Sequence, residues 1–246
     1  LRIRRCDNVG MHDLVIRGGK VVDGTGAAPV TADIAIDGDE IVAVGQVDQA
    51  GTREIEADGA LVTPGWVDVH THYDGQATWD PVMRPSIDHG VTTAVMGNCG
   101  VGFAPVRPGG EAFLIELMEA IEDIPGTALH EGIDWRWETF GEYIDALAEM
   151  PRTLDLGTTV PHAAVRAYVL GDRCHEYDVD AAEIGEIARV MADGVRAGAL
   201  GVSTSRTIQH RSRHGYEPGT FALDEELMAI ADELAGGGRG LFQFVS

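Results

Sequence analysis

An α/β fold, part of a (β/α)8 TIM-like barrel entered from an all-β opening, is what this sequence predicts. Three observations carry it. From Trp66 onward, short apolar strands alternate with amphipathic helical segments, the pattern of parallel βα units. Before Pro64 the chain reads only as strands and turns, with glycine and aspartate at the turns. Leu241–Ser246 reads as a fifth strand of the alternating part, with no helix after it. About 180 residues follow the opening, whereas a typical barrel takes about 250, so the barrel is expected to be incomplete, with five of its eight units.

The elements follow in chain order. Residues 1–10, LRIRRCDNVG, lack patterning, and Met11 opens a patterned segment; they are expected to be a non-native or disordered leader in which Cys6 has no function. Residues 11–63 form the all-β segment. Within it, DLVIRGGKVVD (13–23) predicts two short strands around Gly18 and Gly19. DIAIDGDEIVAVG (33–45) predicts a hairpin around Asp37 and Gly38, and REIEADGALVTPG one more short strand. Residues 64–246 form the barrel part. WVDVHTH is a strand by its period of two, and VTTAVMGN (91–98) is an apolar strand fit to be covered on both faces. Helices are predicted over 110–123 (Phe113, Leu114, Leu117, Met118, Ile121) and 138–149 (Phe140, Tyr143, Ile144, Leu147). LDLGTTV (154–160) is the third strand. The stripe Ile184, Ile187, Ala188, Met191, Val195 marks a helix over 180–197. ALGVSTS (199–205) is the fourth strand and 223–235 a further helix.

Composition narrows the function classes. A net charge of -22, with 40 acidic against 18 basic residues, disfavours nucleic acid and anionic membrane as partners. No apolar run approaches the roughly 20 residues of a bilayer span. Three scattered cysteines argue against a disulfide framework and for a reducing compartment, the cytoplasm. Glycine-rich segments lack dinucleotide or P-loop spacing, and Gly-x-Ser-x-Gly is absent.

The strongest chemical signal is Asp68-Val69-His70-Thr71-His72. Alternate side chains on a strand share a face, so Asp68, His70 and His72 are expected to point one way. Two imidazoles at a strand's C-terminal end can grip one divalent ion, and barrel enzymes place their chemistry at that end. The competing reading is a packed or surface histidine pair. The second signal is Gly97-Asn98-Cys99-Gly100, closing the next strand. A cysteine between small residues at a strand end is accessible to an ion, and thiolate is a strong zinc ligand; the plainer reading is a small residue filling a tight turn.

TPGWVDVHTHYDGQATWDP followed by GVTTAVMGNCGVGFAP resembles the D-aminoacylase (N-acyl-D-amino-acid deacylase) branch of the amidohydrolase superfamily. VIRGGKVVDGTG resembles that branch's N-terminal β-sandwich segment, and PHAAVRAYVLG and GALGVSTS match its later pattern, so the resemblance runs from residue 12 to about 240. It implies that His70 and His72 bind zinc, and that Cys99 contacts it or bridges it to a second ion, where many other amidohydrolases use a carboxylated lysine. One or two zinc ions are therefore expected. The branch's other ligands are histidines of the fifth and sixth strands, and its catalytic aspartate comes from the eighth, beyond Ser246; the catalytic group is thus unassigned. The fifth strand departs from the pattern: Leu241–Ser246 holds no histidine, and Gln243 or Ser246 is left to contact metal or substrate.

Four further positions are candidates for substrate contact or for supporting the ligands. Asp68 shares the histidines' face and suits a partner for a ligating histidine. Asp74, with Tyr73, lies just past the pair and is placed to shape the pocket. His162, in VPHAAVR, either lines the pocket or serves the strand-to-helix turn. The basic stretch Arg206–His214 after the fourth strand either attracts a carboxylate substrate or is merely solvated. Cys174 and His175 read as loop chemistry, His89 as structural, and Trp135 and Trp137 as packing.

The expected activity is metal-dependent hydrolysis of a non-peptide amide, most specifically deacylation of a small N-acyl-D-amino acid, with this chain alone showing little turnover. The alternatives are a hydantoinase- or dihydroorotase-like ring opener, against which the cysteine of GNCG speaks, and an inactive scaffold of the same fold. Oligomeric state is not legible.

Overall fold

A computed structural model of the protein describes residues 10–246, so Cys6 and all but the last residue of the expected leader lie outside the described residues. The chain divides into two units, Leu1–Gly65 and Trp66–Ser246.

The first unit is a five-stranded sheet of β1 (His12–Val21), β2 (Val30–Asp37), β3 (Glu40–Gly45), β4 (Gly51–Glu56) and β5 (Leu61–Val62). Its order is β3-β2-β1-β4, with β5 also pairing to β1. The predicted break at Gly18 and Gly19 is instead a register shift within the single strand β1. Gly18 sits there at φ +60, a conformation open to glycine that lets the extra residues bulge without ending the strand. The predicted hairpin forms between β2 and β3, whereas the predicted single strand of REIEADGALV is cut by the turn at Asp58 and Gly59. One sheet is present; a second, facing sheet is not formed by the described residues of this unit.

The second unit is built on β6 (Trp66–Asp68), β7 (Val91–Met96), β8 (Asp155–Pro161), β9 (Gly201–Ser205) and β12 (Leu241–Val245). These strands are all parallel and lie in the order β12-β9-β8-β7-β6, the run of neighbours expected for part of a barrel. Between them come α1 (Glu111–Glu122), α2 (Gly126–Gly132), α3 (Phe140–Glu149), α4 (His162–Leu170), α5 (Ala181–Ala197), the small hairpin β10 (Arg211–Ser212) and β11 (Gly215–Tyr216), and α6 (Asp224–Gly236). Helix α5 forms where its apolar stripe predicts. Asp180 accepts hydrogen bonds from the Ala182 and Glu183 backbone amides, while Glu183 reaches back to Asp180. Its inner face buries Ile187, Met191 and Val195 in a core shared with Val160 of β8, Val202 of β9 and Ile230 of α6. Gly194 allows the close approach, because a Cβ there would stand 2.5 Å from Val160 Cγ2.

Two helices escaped the sequence reading for physical reasons. Helix α2 is too short to show a period. Helix α4 starts at the last residue of β8 plus one and buries His162, Ala163, Ala164, Val165, Arg166 and Leu170, which leaves no polar stripe to contrast with an apolar one. Among the described residues, no helix is long and apolar enough to cross a membrane.

Candidate metal centre

β6 delivers the histidine pair, but not as a strand. It stops at Asp68, so His70 and His72 lie beyond it rather than on it, as the sequence had implied. The chain stays beside β7 nonetheless, because Thr71 donates to the Val95 carbonyl through both its backbone N–H (2.9 Å) and its hydroxyl (2.9 Å). The two residues flanking Thr71 thereby keep a common side. The rings of His70 and His72 are 5.5 Å apart and edge to face.

Cys99 reaches the same point from the end of β7, within the turn Asn98–Gly100. Its backbone has φ +58, a left-handed conformation that costs a non-glycine residue on the order of 1–3 kcal/mol. Asn98 fixes the turn by donating to the carbonyls of Thr71 (3.0 Å) and Val95 (2.9 Å). Gly97 cannot be replaced, since a Cβ would stand 2.1 Å from the Thr159 carbonyl oxygen. The result puts Cys99 Sγ 3.2 Å from His70 Nε2. One donor atom each from His70, His72 and Cys99 lies within 4.8 Å of the other two. Cys99 is only 5% exposed, against the expected accessibility.

The donor set suits zinc: two imidazoles and a thiol. His72 Nδ1 is buried with no hydrogen-bond partner among the described residues, and so is Asp74 Oδ2. Burial, followed by the neighbouring His70 and His210, pushes the His72 imidazole down to about 4, which keeps it in the neutral, ligating form. Burial pushes the Cys99 thiol up to about 12, helped by the negative charges of Glu122, Glu217 and Asp74. Without a cation, this pocket disfavours thiolate.

The other predicted residues separate. Gln243 on β12 comes to the centre, with Nε2 3.5 Å from His70 Nδ1. Asp68 does not hold an imidazole: its Oδ1 accepts from the His70 backbone N–H at 3.2 Å. Asp74 is buried, and that burial pushes its carboxyl up to about 7. Tyr73 rather than Asp74 borders the adjoining cavity of about 450 Å³, with Trp79, Ile124 and Leu129. His162 is 0% exposed, its two ring nitrogens 2.8 Å from Thr204 Oγ1 and 2.7 Å from Glu226 Oε1, so the pocket-lining alternative gives way to the structural one. The basic stretch is partly engaged within the chain, Arg211 lying over the Tyr216 ring. Arg213 and His214 both pair with Glu116, and Arg206 donates to the Ala222 carbonyl. Cys174 is buried and gives its carbonyl to Arg166, and Trp137 packs in the core with its N–H on the Phe103 carbonyl.

Three residues at the centre were missed by sequence reasoning: Glu122, His210 and Glu217. Glu122 Oε1 lies 3.3 Å from His72 Nε2. A donor atom of Glu122 and one of His210 also lie within 4.8 Å of a Cys99 donor atom and of each other. Glu217, with burial pushing its carboxyl up to about 7, is 3.1 Å from His210 Nδ1. Glu122 ends a helix and His210 sits among arginines, so neither had a pattern to single it out; the Glu217-Pro218-Gly219 turn carried no signal at all. A larger cavity of about 750 Å³ lies elsewhere, bordered by Arg107, Phe113, Tyr168 and His175. Arg107 there is turned to the Val169 carbonyl, and among the described residues no cluster of metal donors converges on it, so chemistry rather than size locates the centre.

Comparison with known proteins agrees. The profile of the amidohydrolase family matches residues 53–245. An uncharacterised protein of Mycobacterium tuberculosis is 34% identical over 93% of this chain and 39% of its own length. D-aminoacylase of Alcaligenes xylosoxydans xylosoxydans is 32% identical over 92% of this chain and 43% of its own. The structure of N-acyl-D-glutamate deacylase from Bordetella bronchiseptica, complexed with zinc and a phosphonate mimic of the tetrahedral intermediate, superposes with a TM-score of 0.77 at 28% identity, over 95% of this chain and 45% of that one. The chain thus spans about two-fifths of the length of the curated relatives it matches. It belongs to the amidohydrolase family, alongside the D-aminoacylases and N-acyl-D-amino-acid deacylases.

Proposed function

We propose that the protein carries a zinc-dependent centre for hydrolysing amide bonds, and that its substrates are N-acyl-D-amino acids. The observation that carries this reading is the convergence of His70, His72 and Cys99, each offering a donor atom within 4.8 Å of the others. Zinc bound there supplies a water of lowered pKa and a Lewis acid for the acyl carbonyl.

The chain's own side chains do the rest of the work assigned here. His70, His72 and Cys99 hold the ion. Gln243 would orient His70: with Nε2 of the ring as the ligating atom, Nδ1 would carry the proton, and a half-turn of the amide would offer Gln243 Oε1, which has no partner among the described residues, as its acceptor. The cavity beside the histidines, with Tyr73, Trp79, Ile124 and Leu129 on its wall, gives an apolar acyl chain a surface to cover. The preference for D-substrates is supported by the relatives' activities rather than by a contact in this chain.

The test is an assay of the zinc-loaded protein against N-acetyl-D-amino acids, their L-enantiomers and a five- or six-membered cyclic amide. Slow release of free D-amino acid, in keeping with the little turnover expected of this chain alone, lost on chelation and restored by zinc, is the expected result. Turnover of the cyclic amide alone, or no zinc bound at His70, His72 and Cys99, overturns the reading.

A further inference from the structure

The cavity of about 750 Å³ lies at the other end of α1 from the His70–His72–Cys99 cluster. Phe113 and Leu114, in the first turn of that helix, are on its wall, whereas Glu122, the last residue, stands 3.3 Å from His72. At about 1.5 Å per residue, the 12 residues of the helix separate the two places by roughly 18 Å. α4 supplies Ala167, Tyr168 and Leu170 to the same wall. The volume and the apolar surface suit a small organic ligand.

The polar groups of the cavity are unevenly satisfied. Arg173 pairs with Glu176 and Glu183, and His214 with Glu116. Arg107 instead donates to the Val169 carbonyl at 2.7 Å and rests over the Tyr168 ring, 5.8 Å from its centroid. Those contacts hold the guanidinium without cancelling its charge, and a held guanidinium suits a carboxylate. His175 Nδ1 is 2.9 Å from the Tyr216 carbonyl, which can only accept, so Nδ1 carries the proton and Nε2 is an acceptor. That Nε2 is buried with no partner among the described residues. Burial pulls the imidazole's pKa down, which keeps Nε2 unprotonated. The Phe113 ring stands edge to face against it at 5.9 Å, so the unmet acceptor lies on the apolar part of the wall. An acceptor there repels a bare carboxylate and calls for an N–H.

We propose that this cavity is a separate binding site for a small N-acyl amino acid, with the carboxylate on Arg107, the amide N–H on His175 Nε2, and the apolar groups against Phe113, Leu114 and Leu170. A ligand with all three features is of the same class as the substrate proposed for the metal centre, and the inference goes beyond that reading by seating such a molecule away from the metal donors. It stands on the cavity's own residues, and so survives if the centre hydrolyses something else.

Metal-stripped protein, which has no zinc to turn the ligand over, is titrated with N-acetyl-D-phenylalanine by calorimetry. Saturable binding is expected, with the same affinity in His70→Ala. Arg107→Gln, an exposed position, is expected to weaken it about 10-fold or more, the worth of a hydrogen bond to a charged group. Ala167→Trp, which fills the cavity, is expected to abolish it, and a wild-type urea midpoint shows each variant to be folded. Two analogues probe the ligand class: the methyl amide, which lacks the carboxylate, and O-acetylphenyllactate, which has oxygen in place of the N–H. Each is expected to bind about 10-fold more weakly or worse. Full affinity in Arg107→Gln, or either analogue binding as tightly as the parent, overturns the proposal. Loss of binding in folded His70→Ala also overturns it, by seating the ligand at the metal centre. No binding by wild type overturns it too and leaves the hydrolase reading standing, because that reading is judged by zinc-dependent turnover.

Discussion

The barrel part of the chain buries histidine against carboxylate in two places, and they are built on opposite principles. In the first, His162, Arg166 and Glu226, every side-chain nitrogen and oxygen is used. Arg166 Nε donates to the Cys174 carbonyl at 2.9 Å, one terminal nitrogen reaches both Glu226 oxygens and the other the Glu176 carbonyl. His162 spends its remaining nitrogen on Thr204. In the second, around Cys99, His72 Nδ1, Glu217 Oε1 and Gln243 Oε1 are buried without partners among the described residues. The residue types are much the same. A closed polar cluster joins α4 to α6, whereas an open one has donor capacity left for something the chain does not contain. Unspent hydrogen-bonding capacity, rather than the presence of histidine and glutamate, separates a candidate reactive centre from a structural joint.

The largest effect expected from this contrast is on stability, at the closed cluster. Arg166→Met leaves the Glu226 carboxylate buried with one partner fewer and is expected to cost about 3–5 kcal/mol, read as a lowered urea midpoint. Zinc bound per folded chain stays at the wild-type value. A loss under about 1 kcal/mol would put the closed cluster in the class of solvated ion pairs and dissolve the contrast. Acid probes the same cluster. Burial pushes the Glu226 carboxyl up, but hydrogen bonds and charge from His162 and then Arg166 outweigh it and hold the group at about 2. A carboxyl lowered from 4.5 stabilises the fold fully above that value, and the contribution is lost as pH falls toward 2. Burial also lowers His162, so protonation in the unfolded chain below 6.5 works in the same direction. Unfolding free energy therefore declines as pH drops below 6.5 and more steeply below 4.5, and Arg166→Met flattens the acid limb. An acid limb equally steep in both proteins would place the titrating groups elsewhere.

Much of this was legible in the sequence, and the parts that were not share a cause. The five strands of the barrel part show as apolar runs, and α5 shows as a stripe of Ile187, Met191 and Val195, because periodicity survives wherever one face is buried and the other is not. Helix α4 failed that test by being buried on nearly every side. The histidine pair and Cys99 were visible because adjacent strand ends bring close in space what a short motif brings close in sequence. Glu122, His210 and Glu217 come from a helix end and two loops, whose course depends on packing that no local pattern encodes. His162 was ambiguous for the opposite reason. A histidine at the end of a strand suits both a pocket and a core, and only Glu226, 64 residues away, decides between them.

A smaller effect, about 1.4–2.7 kcal/mol, is expected at the open cluster from Gln243→Ala: zinc affinity falls about 10- to 100-fold while the urea midpoint stays put. Removing a partly satisfied amide from behind His70 loosens a ligand without uncovering a buried charge. A titration with a chromogenic zinc chelator measures the change. Loss of stability with unchanged zinc affinity would make Gln243 a packing residue and His70 a ligand that orients itself.

The smallest effect supplies the control on which the other two depend. Asp180 caps α5 at the surface, belongs to neither cluster, and accepts from the Ala182 amide at 2.8 Å and the Glu183 amide at 2.9 Å. Asp180→Ala is expected to cost about 1 kcal/mol, the usual worth of such a cap. It touches no metal donor, so zinc affinity holds. If zinc affinity nevertheless fell in step with stability here, bound metal would be reporting only how much of the chain is folded. The Gln243 result would then carry no information about His70, and the division into a closed joint and an open centre would lose its measurable meaning. Unchanged affinity at reduced stability instead lets the two quantities vary independently, which is what the assignment of separate roles to the two clusters requires.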